Sequence, residues 1–536
     1  MNLTRREFVK DSFAALGFLA LPGGLFAPLL GHPLRGQPSA GGYAPAGWKP
    51  KKKPNLVFGV LADTHMRCHY DGVRFYDHNG WTYGDAAVVM ALKYFKKHGA
   101  DAVLHLGDIT DCGMVREMEF YKEAFDKVFG SGARPVSMMV MGNHDIYGGD
   151  EWAQGVAKSK DPAVYKKLRL GSHNLSAEME RIWGEPYENV WHREVKGYHF
   201  FGFGWPRFTG EDMNEATPYR GRLYHDSPQE GRNYVRYVHS GLWMAELVRR
   251  EREAGRLDPQ KPFFTSTHAL HYPIDIIDNE LKSALGLEKG QFCNGLGLHG
   301  HGHGSNAHWR FNWGAGLCFP RLMCSTLAYW KSHGGEGESP RFANGFGDGK
   351  VVNPGECGQK SDHALLVRVY DDMLTISRIW VGVLPKSALG SLGEDWVMPL
   401  NWGTGNGEQG TDHPFKRENY VKVAGAPEFP PKTKLDVGKT NDGGLRIKIP
   451  KADGNPKTRV YGYQIVVAGD DRKAALKKNC YARGYNMGMG HEPDGGVTTL
   501  EIPVSELPAG KKLAIGARPC SSLGTKGKSI SATFRA

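Results

Sequence analysis

The spacing of apolar and polar positions changes along the chain in a way that predicts alternating strands and helices. Residues 55–61 are an almost unbroken apolar run of strand length, and 102–106 and 135–140 predict two more strands. Between them, 86–98 places Val88, Val89, Leu92 and Phe95 on one face of a helix, and 114–129 reads as a second amphipathic helix. Strands alternating with helices imply crossover connections and an α/β sheet. Runs at 198–203 and 262–267 predict further strands, with a helix over 241–255 between them. Residues 364–370 and 374–380, split by Asp371 and Asp372, predict a hairpin. Together these elements define a first domain over 54–423.

After a Pro-rich passage at 426–432 the rhythm changes to short strands, at 444–449, 462–467, 498–502, 512–517 and 529–534, separated by turn residues. This predicts a small β-sandwich domain over 426–536. It resembles fibronectin-type-III-like modules in length and rhythm. Its expected role is a structural cap or spacer, or contact with a surface or a glycan. A length of 536 residues with 40% hydrophobic content supports more than one core. The net charge of +11 suits anionic partners such as phosphate esters. Its Lys and Arg are dispersed, however, apart from Lys51, Lys52 and Lys53 in a linker, which describes a solvated surface. A groove that tracks a nucleic-acid strand needs concentrated charge and aromatics, so no stable nucleic-acid complex is expected. None of the eight cysteines forms a CxxC pair, which argues against a zinc ribbon. Cys480 and Cys520 are the two in the C-terminal region, and a disulfide between them stays open.

The N-terminus reads Thr4-Arg5-Arg6-Glu7-Phe8-Val9-Lys10, followed by an apolar stretch over 13–30. It resembles a twin-arginine export signal. Gly17, Pro22, Gly23, Gly24 and Pro28 make it a poor spanning helix. Residues 1–50 are therefore set aside as signal and linker, with cleavage expected within 31–42. The resemblance implies export machinery as a partner and a periplasmic or secreted bacterial protein that carries its metals out with it.

Five polar clusters carry the chemistry, four of them just after apolar strand-like runs. They are Asp63-Thr64-His65, Gly107-Asp108-Ile109-Thr110-Asp111, Gly142-Asn143-His144-Asp145, His268, and Gly300-His301-Gly302-His303. Ligands of open α/β sheets bind beyond the carboxyl ends of the strands, so residues distant in sequence can meet at one rim. Carboxylate, amide oxygen and imidazole without thiolate form a donor set suited to Mn, Fe or Zn.

In this order the clusters match DxH, GDxxD, GNH(D/E), H and GHxH, and the chain resembles the calcineurin-like metallophosphoesterase superfamily over 54–380. The resemblance implies an α/β/β/α sandwich and a dinuclear metal-dependent phosphoesterase. Asp63, His65 and His303 would hold one ion, and Asn143, His268 and His301 the other, with Asp108 bridging. The ions would be divalent or mixed-valence Mn, Fe or Zn. A hydroxide activated by both would attack the phosphorus of a phosphomonoester or phosphodiester, small or surface-borne. His144 would serve as acid or charge stabiliser, oriented by Asp145, with Asp111 supporting the ligands. His271 competes with His268, which is preferred because it directly ends a strand-like run. His299 and His308 read as solvated or hydrogen-bonded loop histidines. Asp111 stands where purple acid phosphatases carry Tyr, and Cys112 and Ile146 where protein Ser/Thr phosphatases carry Arg. The pattern is thus closer to bacterial exported phosphoesterases and class III cyclic-nucleotide phosphodiesterases. Two other readings stay open: an exported metal-binding protein of this fold without turnover, and a nuclease-type phosphodiesterase. The segment 146–261 is rich in Trp, Tyr and Arg and reads either as a substrate wall or as packing over the sheet.

Overall fold

The computed structural model describes residues 52–535 apart from 67–68, 71–72, 75–83, 131, 148–168, 206–230, 270–273, 289–290, 292, 304–305, 307–310, 313–317, 328–350, 353–362, 383–387, 401–424, 455–458, 470–474, 510–511 and 522. The export signal expected at 1–50 lies outside the described residues. In chain order the first elements are β1 (Leu56–Leu61), β2 (His69–Tyr70), β3 (Val73–Arg74), α1 (Gly84–Lys97), β4 (Ala102–His105), α2 (Val115–Phe129), β5 (Val136–Met139), α3 (Asn143–Tyr147) and α4 (Gly171–Trp183). They continue with β6 (Val190–Val195), β7 (Tyr198–Phe203), α5 (Gly231–Glu253), β8 (Phe263–Thr267), α6 (Ile274–Ala284), β9 (Gly295–His299), β10 (Phe311–Asn312) and β11 (Arg321–Met323). Then come β12 (Val351–Val352), β13 (His363–Val369), β14 (Met373–Gly382), β15 (Ala388–Ser391) and β16 (Trp396–Pro399). The C-terminal strands are β17 (Asp436–Lys439), β18 (Leu445–Ile449), β19 (Val460–Ala468), β20 (Ala475–Tyr481), β21 (Thr498–Ile502), β22 (Lys512–Ser521) and β23 (Ile530–Arg535).

Two sheets lie face to face. The first runs β15-β14-β13-β1-β4-β5, with β16 also on β14, and the second β10-β11-β9-β8-β7-β6. Strands β1, β4 and β5 are parallel, as are β7, β8, β9 and β11. Period-two alternation sorts their side chains. Phe58 and Val60 join Leu104, Phe200, Phe264 and Leu298 in the core between the sheets. Val57, Leu61 and Val103 face the other way, onto Leu92, Phe95 and Tyr121 of α1 and α2. Phe201 and Phe263 pack under α5 and α6 on the outer face of the second sheet. This is the α/β/β/α sandwich expected, with all the parallel strands delivering their carboxyl ends to one rim. Gly59 allows it locally: a Cβ there would lie 2.2 Å from the Phe95 ring.

Some elements differ from the sequence reading. Helix α5 starts at Gly231, well before the predicted 241. Strand β9, Gly-Leu-Gly-Leu-His, carries too many glycines to read as a strand. The glycines are required by packing, since a Cβ at Gly295 would sit 2.7 Å from Phe263 and one at Gly297 2.8 Å from Arg321. Polar β20 and short β17 carry no apolar alternation and were likewise not legible.

The C-terminal sheets, β12-β20-β19-β22-β23 and β17-β18-β21, enclose a core of Leu445, Ile447, Tyr461, Tyr463, Leu513 and Ile515. This core also takes in Trp380 of β14 and Leu392. The reverse exchange is made by Leu523, which is 3% exposed and lies in the core between the first two sheets. A Cβ on Gly390 would lie 2.9 Å from the Cα of Gly488, so the two backbones touch. Cys480 and Cys520 sit opposite Tyr463 and Gly462 on either side of β19. Two strand spacings, about 9–10 Å, exceed the reach of a disulfide. Neither cysteine forms a disulfide, and that pairing is overturned.

Leu523→Ala should destabilise the core between the first two sheets as well as the β-sandwich. The expected cost is about 2–5 kcal/mol, read from denaturant unfolding followed by Trp fluorescence. A cost under about 1 kcal/mol, the level of an ordinary surface substitution, would contradict the shared core.

Candidate metal centre

Each cluster picked out in the sequence begins where a strand ends. Asp63 and His65 follow β1, Asp108 follows β4, Asn143 opens α3 after β5, His268 follows β8, and His301 and His303 follow β9. Pairing continues past the strands into the loops: Asp63 N donates to Gly107 O at 3.0 Å, His65 N to Asp108 O at 3.0 Å, and Met66 N to Ile109 O at 2.8 Å. Eight described non-glycine residues have positive φ, and five of them are Asp63, His65, Asp108, His301 and His303. Left-handed backbone at such residues costs about 1–3 kcal/mol each and persists where surrounding structure enforces it. Its concentration here marks the rim as the place where backbone strain is spent on aiming side chains.

The aimed atoms form two groups sharing Asp108. In the first, His303 Nε2 lies 3.1 Å from Asp63 Oδ1 and 3.2 Å from His65 Nε2, which is 3.9 Å from Asp108 Oδ2. In the second, His268 Nε2 lies 3.2 Å from Asp108 Oδ2, 3.1 Å from Asn143 Oδ1 and 3.2 Å from His301 Nδ1. The described residues thus bring all seven sequence-predicted ligands together. His271 and His308 lie outside the described residues. His299 is a strand residue rather than a loop one: it is buried in β9, with Nε2 lacking a hydrogen-bond partner and burial driving its pKa down to about 4.

Proton placement tests whether a cation fits. His268 Nδ1 donates to Leu106 O at 2.8 Å, which turns Nε2 inward as an acceptor. There it meets a carboxylate oxygen, an amide oxygen and another imidazole, so acceptors face acceptors. His65 repeats the arrangement, its Nδ1 bonded to Asp111 Oδ1 at 3.0 Å and its Nε2 turned to the cluster. Atoms ligating one ion at about 2.0–2.2 Å are themselves about 3–3.5 Å apart, as most of these are. The donor set therefore fits cations. The electrostatics call for positive charge at the same place, which a proton on His268 Nε2 supplies when a cation does not. Burial opposes charge on His268, yet Asp108 and Asp63 hold its pKa up to about 9. Burial alone would raise Asp63 and Asp108, but the histidines beside them, His303 and His268 foremost, hold both below the usual carboxylate range. Burial drives His65 down to about 4, leaving it neutral as a ligand must be.

His144 lies beside the first group, its ring 4.6 Å from that of His65. Its Nδ1 donates to the main-chain oxygen of Asp111 at 2.7 Å. Asp145 was expected to orient it and does not. The Asp145 carboxylate is fully buried and accepts from Gly142 N, Thr110 N and Thr110 Oγ1, each at 2.8 Å, and from Ile109 N at 3.3 Å. It ties the two metal loops together, while Asp111 orients both His65 and His144. Burial and repulsion from Asp108 raise Asp145 to about 6 against those bonds. Asp108 is also fixed by the backbone, its Oδ1 accepting from His144 N at 2.8 Å.

Of the aromatic segment, Tyr187 and Trp191 are core residues, 8% and 5% exposed. Trp205 instead approaches the centre, its ring 6.1 Å from His301 and 6.4 Å from His268. Phe208, Tyr219, Arg220, Arg222 and Tyr224 lie outside the described residues. Sequence reading missed Thr326, whose Oγ1 donates to Asp63 O at 2.7 Å, since a lone Thr after a strand carries no signal.

Residues 56–304, from the first residue of β1 to just past His303, match the family model for calcineurin-like phosphoesterases. That match takes in all seven candidate ligands, and the metallophosphoesterase fold implies divalent metal ions. No curated protein matches the chain. Among solved structures it is similar to a dimetal phosphatase from Danio rerio, at 14% identity over 65% of this chain and 100% of that one, with a TM-score of 0.33. It is also similar to the purple acid phosphatase PPD1 from yellow lupin (Lupinus luteus) seeds, at 11% identity over 61% of this chain and 52% of that one, with a TM-score of 0.30. At such TM-scores neither likeness bears on what this chain does.

Gly142 permits the approach of α3 to Asp108: a Cβ there would lie 2.1 Å from Asp108 Oδ1 and 2.5 Å from Asp108 N. Gly142→Ala should therefore lower bound metal at least tenfold while the circular dichroism of the fold persists. Wild-type metal content in that variant would contradict the geometry.

Proposed function

We propose that this protein is an exported, dinuclear metal-dependent phosphoesterase acting on phosphomonoesters or phosphodiesters. The observation that carries the reading is the convergence of acceptor atoms, most of them buried, in two groups that share Asp108. Asp63, His65 and His303 would hold one ion, Asn143, His268 and His301 the other, and Asp108 would touch both. Mixed carboxylate, amide and imidazole donors favour Mn, Fe or Zn. When bound, such a pair of ions acidifies water and draws charge from phosphoryl oxygens.

The chain's own residues supply the rest. Asp111 fixes the His65 and His144 rings through one side-chain and one main-chain oxygen. With Nδ1 so committed, His144 presents Nε2 to the substrate side, where it donates to the leaving-group oxygen as charge develops there. Trp205 offers an aromatic wall beside His301 and His268 for the organic part of the ester. The α3 and β4 loops are locked by Asp145, so the acid and the ligands keep their spacing through turnover. Export rests on the twin arginine at Arg5 and Arg6 with its apolar follow-on; the periplasm or cell exterior then supplies the substrate.

The reading is tested by stripping the protein with chelator, reloading it with Mn, Fe or Zn, and assaying aryl phosphate mono- and diesters. Activity should vanish on stripping and return on reloading, and Asp108→Ala should neither bind metal fully nor turn over. Full activity in the stripped protein or in Asp108→Ala would end the proposal. His144→Ala should retain both ions and lose about 10²–10⁴-fold in kcat, checked by metal analysis beside steady-state kinetics; loss of the ions would reassign His144 as a ligand.

A further inference from the structure

We infer that His363 is a positioning residue for the metal centre, through which the C-terminal β-sandwich holds the ligands of one ion. The inference rests on the metal-centre reading above. His363 opens β13 at 1% exposure, and both ring nitrogens are engaged. Nε2 donates to the main-chain oxygen of Asn486, in the β-sandwich, at 2.6 Å. A nitrogen that donates to a carbonyl carries the proton, so neutral His363 has an unprotonated Nδ1. That atom accepts from the backbone N–H of Asn306 at 3.1 Å, three residues beyond His303. Only one tautomer satisfies both ends, and it is available without any charge.

The backbone of His363 adds a second arm. Its N–H donates to Thr326 O at 2.8 Å, and Thr326 Oγ1 donates to Asp63 O at 2.7 Å. One arm therefore ends at Asn306, three residues beyond His303, and the other at Asp63; His303 and Asp63 are proposed ligands of the same ion. Arg378 supports the first arm. Its Nη1 donates to Asn306 O at 3.1 Å and its guanidinium lies 4.4 Å over the Trp396 ring. Asn306 is thus gripped at both its N–H and its C=O, and is itself fully buried. Asp63 and His303 both hold left-handed backbone, φ 50° and 45°, so an outside grip on their loops is what keeps them there. His301, proposed for the other ion, lies one hydrogen bond further along, its N–H donating to Asp63 Oδ2 at 3.0 Å, so the ion of Asp63 and His303 is the more directly held.

The test is Mn²⁺ titration of the chelator-stripped full-length protein, wild type against His363→Phe, with circular dichroism and aryl phosphate kinetics alongside. Outer hydrogen-bond partners of ligands typically change affinity by about 10–100-fold. His363→Phe should weaken one of two Mn²⁺ sites by that factor, leave the other within about threefold, and lose activity that excess Mn²⁺ restores. A folded variant with both sites as in wild type overturns the inference, and so does equal weakening of both, which would make His363 a general packing residue. Should His363→Phe fail to fold, His363→Asn and His363→Gln decide. Asn keeps an acceptor near Nδ1 and Gln a donor near Nε2, so Asn should retain more of the weakened site; equal binding by both overturns the positioning role. A wild-type protein that takes up no Mn²⁺ overturns the metal-centre reading itself, whereas normal wild-type uptake with an unchanged variant overturns this inference alone.

Discussion

Asp63 and Asp108 are carboxylates with essentially no solvent exposure, set at the ends of two adjacent parallel strands. Burying such charge is costly unless it is paired and hydrogen-bonded. Much of the rim can be understood as the means of meeting that cost. Backbone N–H groups of His301 and His144 approach their oxygens, and histidines surround them. The protons of His65 and His268 are drawn outward to Asp111 and Leu106, which leaves inward-facing acceptors that call for cations.

Aiming these groups needs backbone that ordinary strands do not provide. Five left-handed non-glycine residues and the close-packed Gly107, Gly142 and Gly300 do it, the glycines because a Cβ would strike His268, Asp108 or Asp63. Strain of that kind survives only within a stiff frame. The frame has two parts: a core between two sheets, and a network of buried polar contacts that includes Asp145, Thr326 and His363. The β-sandwich belongs to it physically, since Leu523 enters the inter-sheet core and Trp380 enters the sandwich core. A segment that looks like an appended module thereby bears on the precision of a site built from another part of the chain.

What the sequence by itself determined was the candidate donor set and the broad architecture. Strand-length apolar runs alternating with helical spacing implied crossovers, and the polar clusters fell at strand ends where such folds converge, so the seven candidate ligands were legible. Helix α2 and strands β1, β4, β7 and β8 were legible too, because local periodicity reports burial directly. What only the tertiary structure decided were contacts with no local signature. The glycines of β9 were shaped by Phe263 and Arg321 on neighbouring strands, and the Cys480–Cys520 pair was ruled out by the strand between them. Asp111 took over from Asp145 as the residue that orients His144, because which oxygen a loop turns toward a ring depends on the backbone of both loops. His363 acquired its place by bridging segments far apart in the chain. Periodicity and motif spacing act over a few residues, whereas hydrogen-bond direction and cross-strand packing are set by how distant segments meet, and that is where the sequence ceased to be informative.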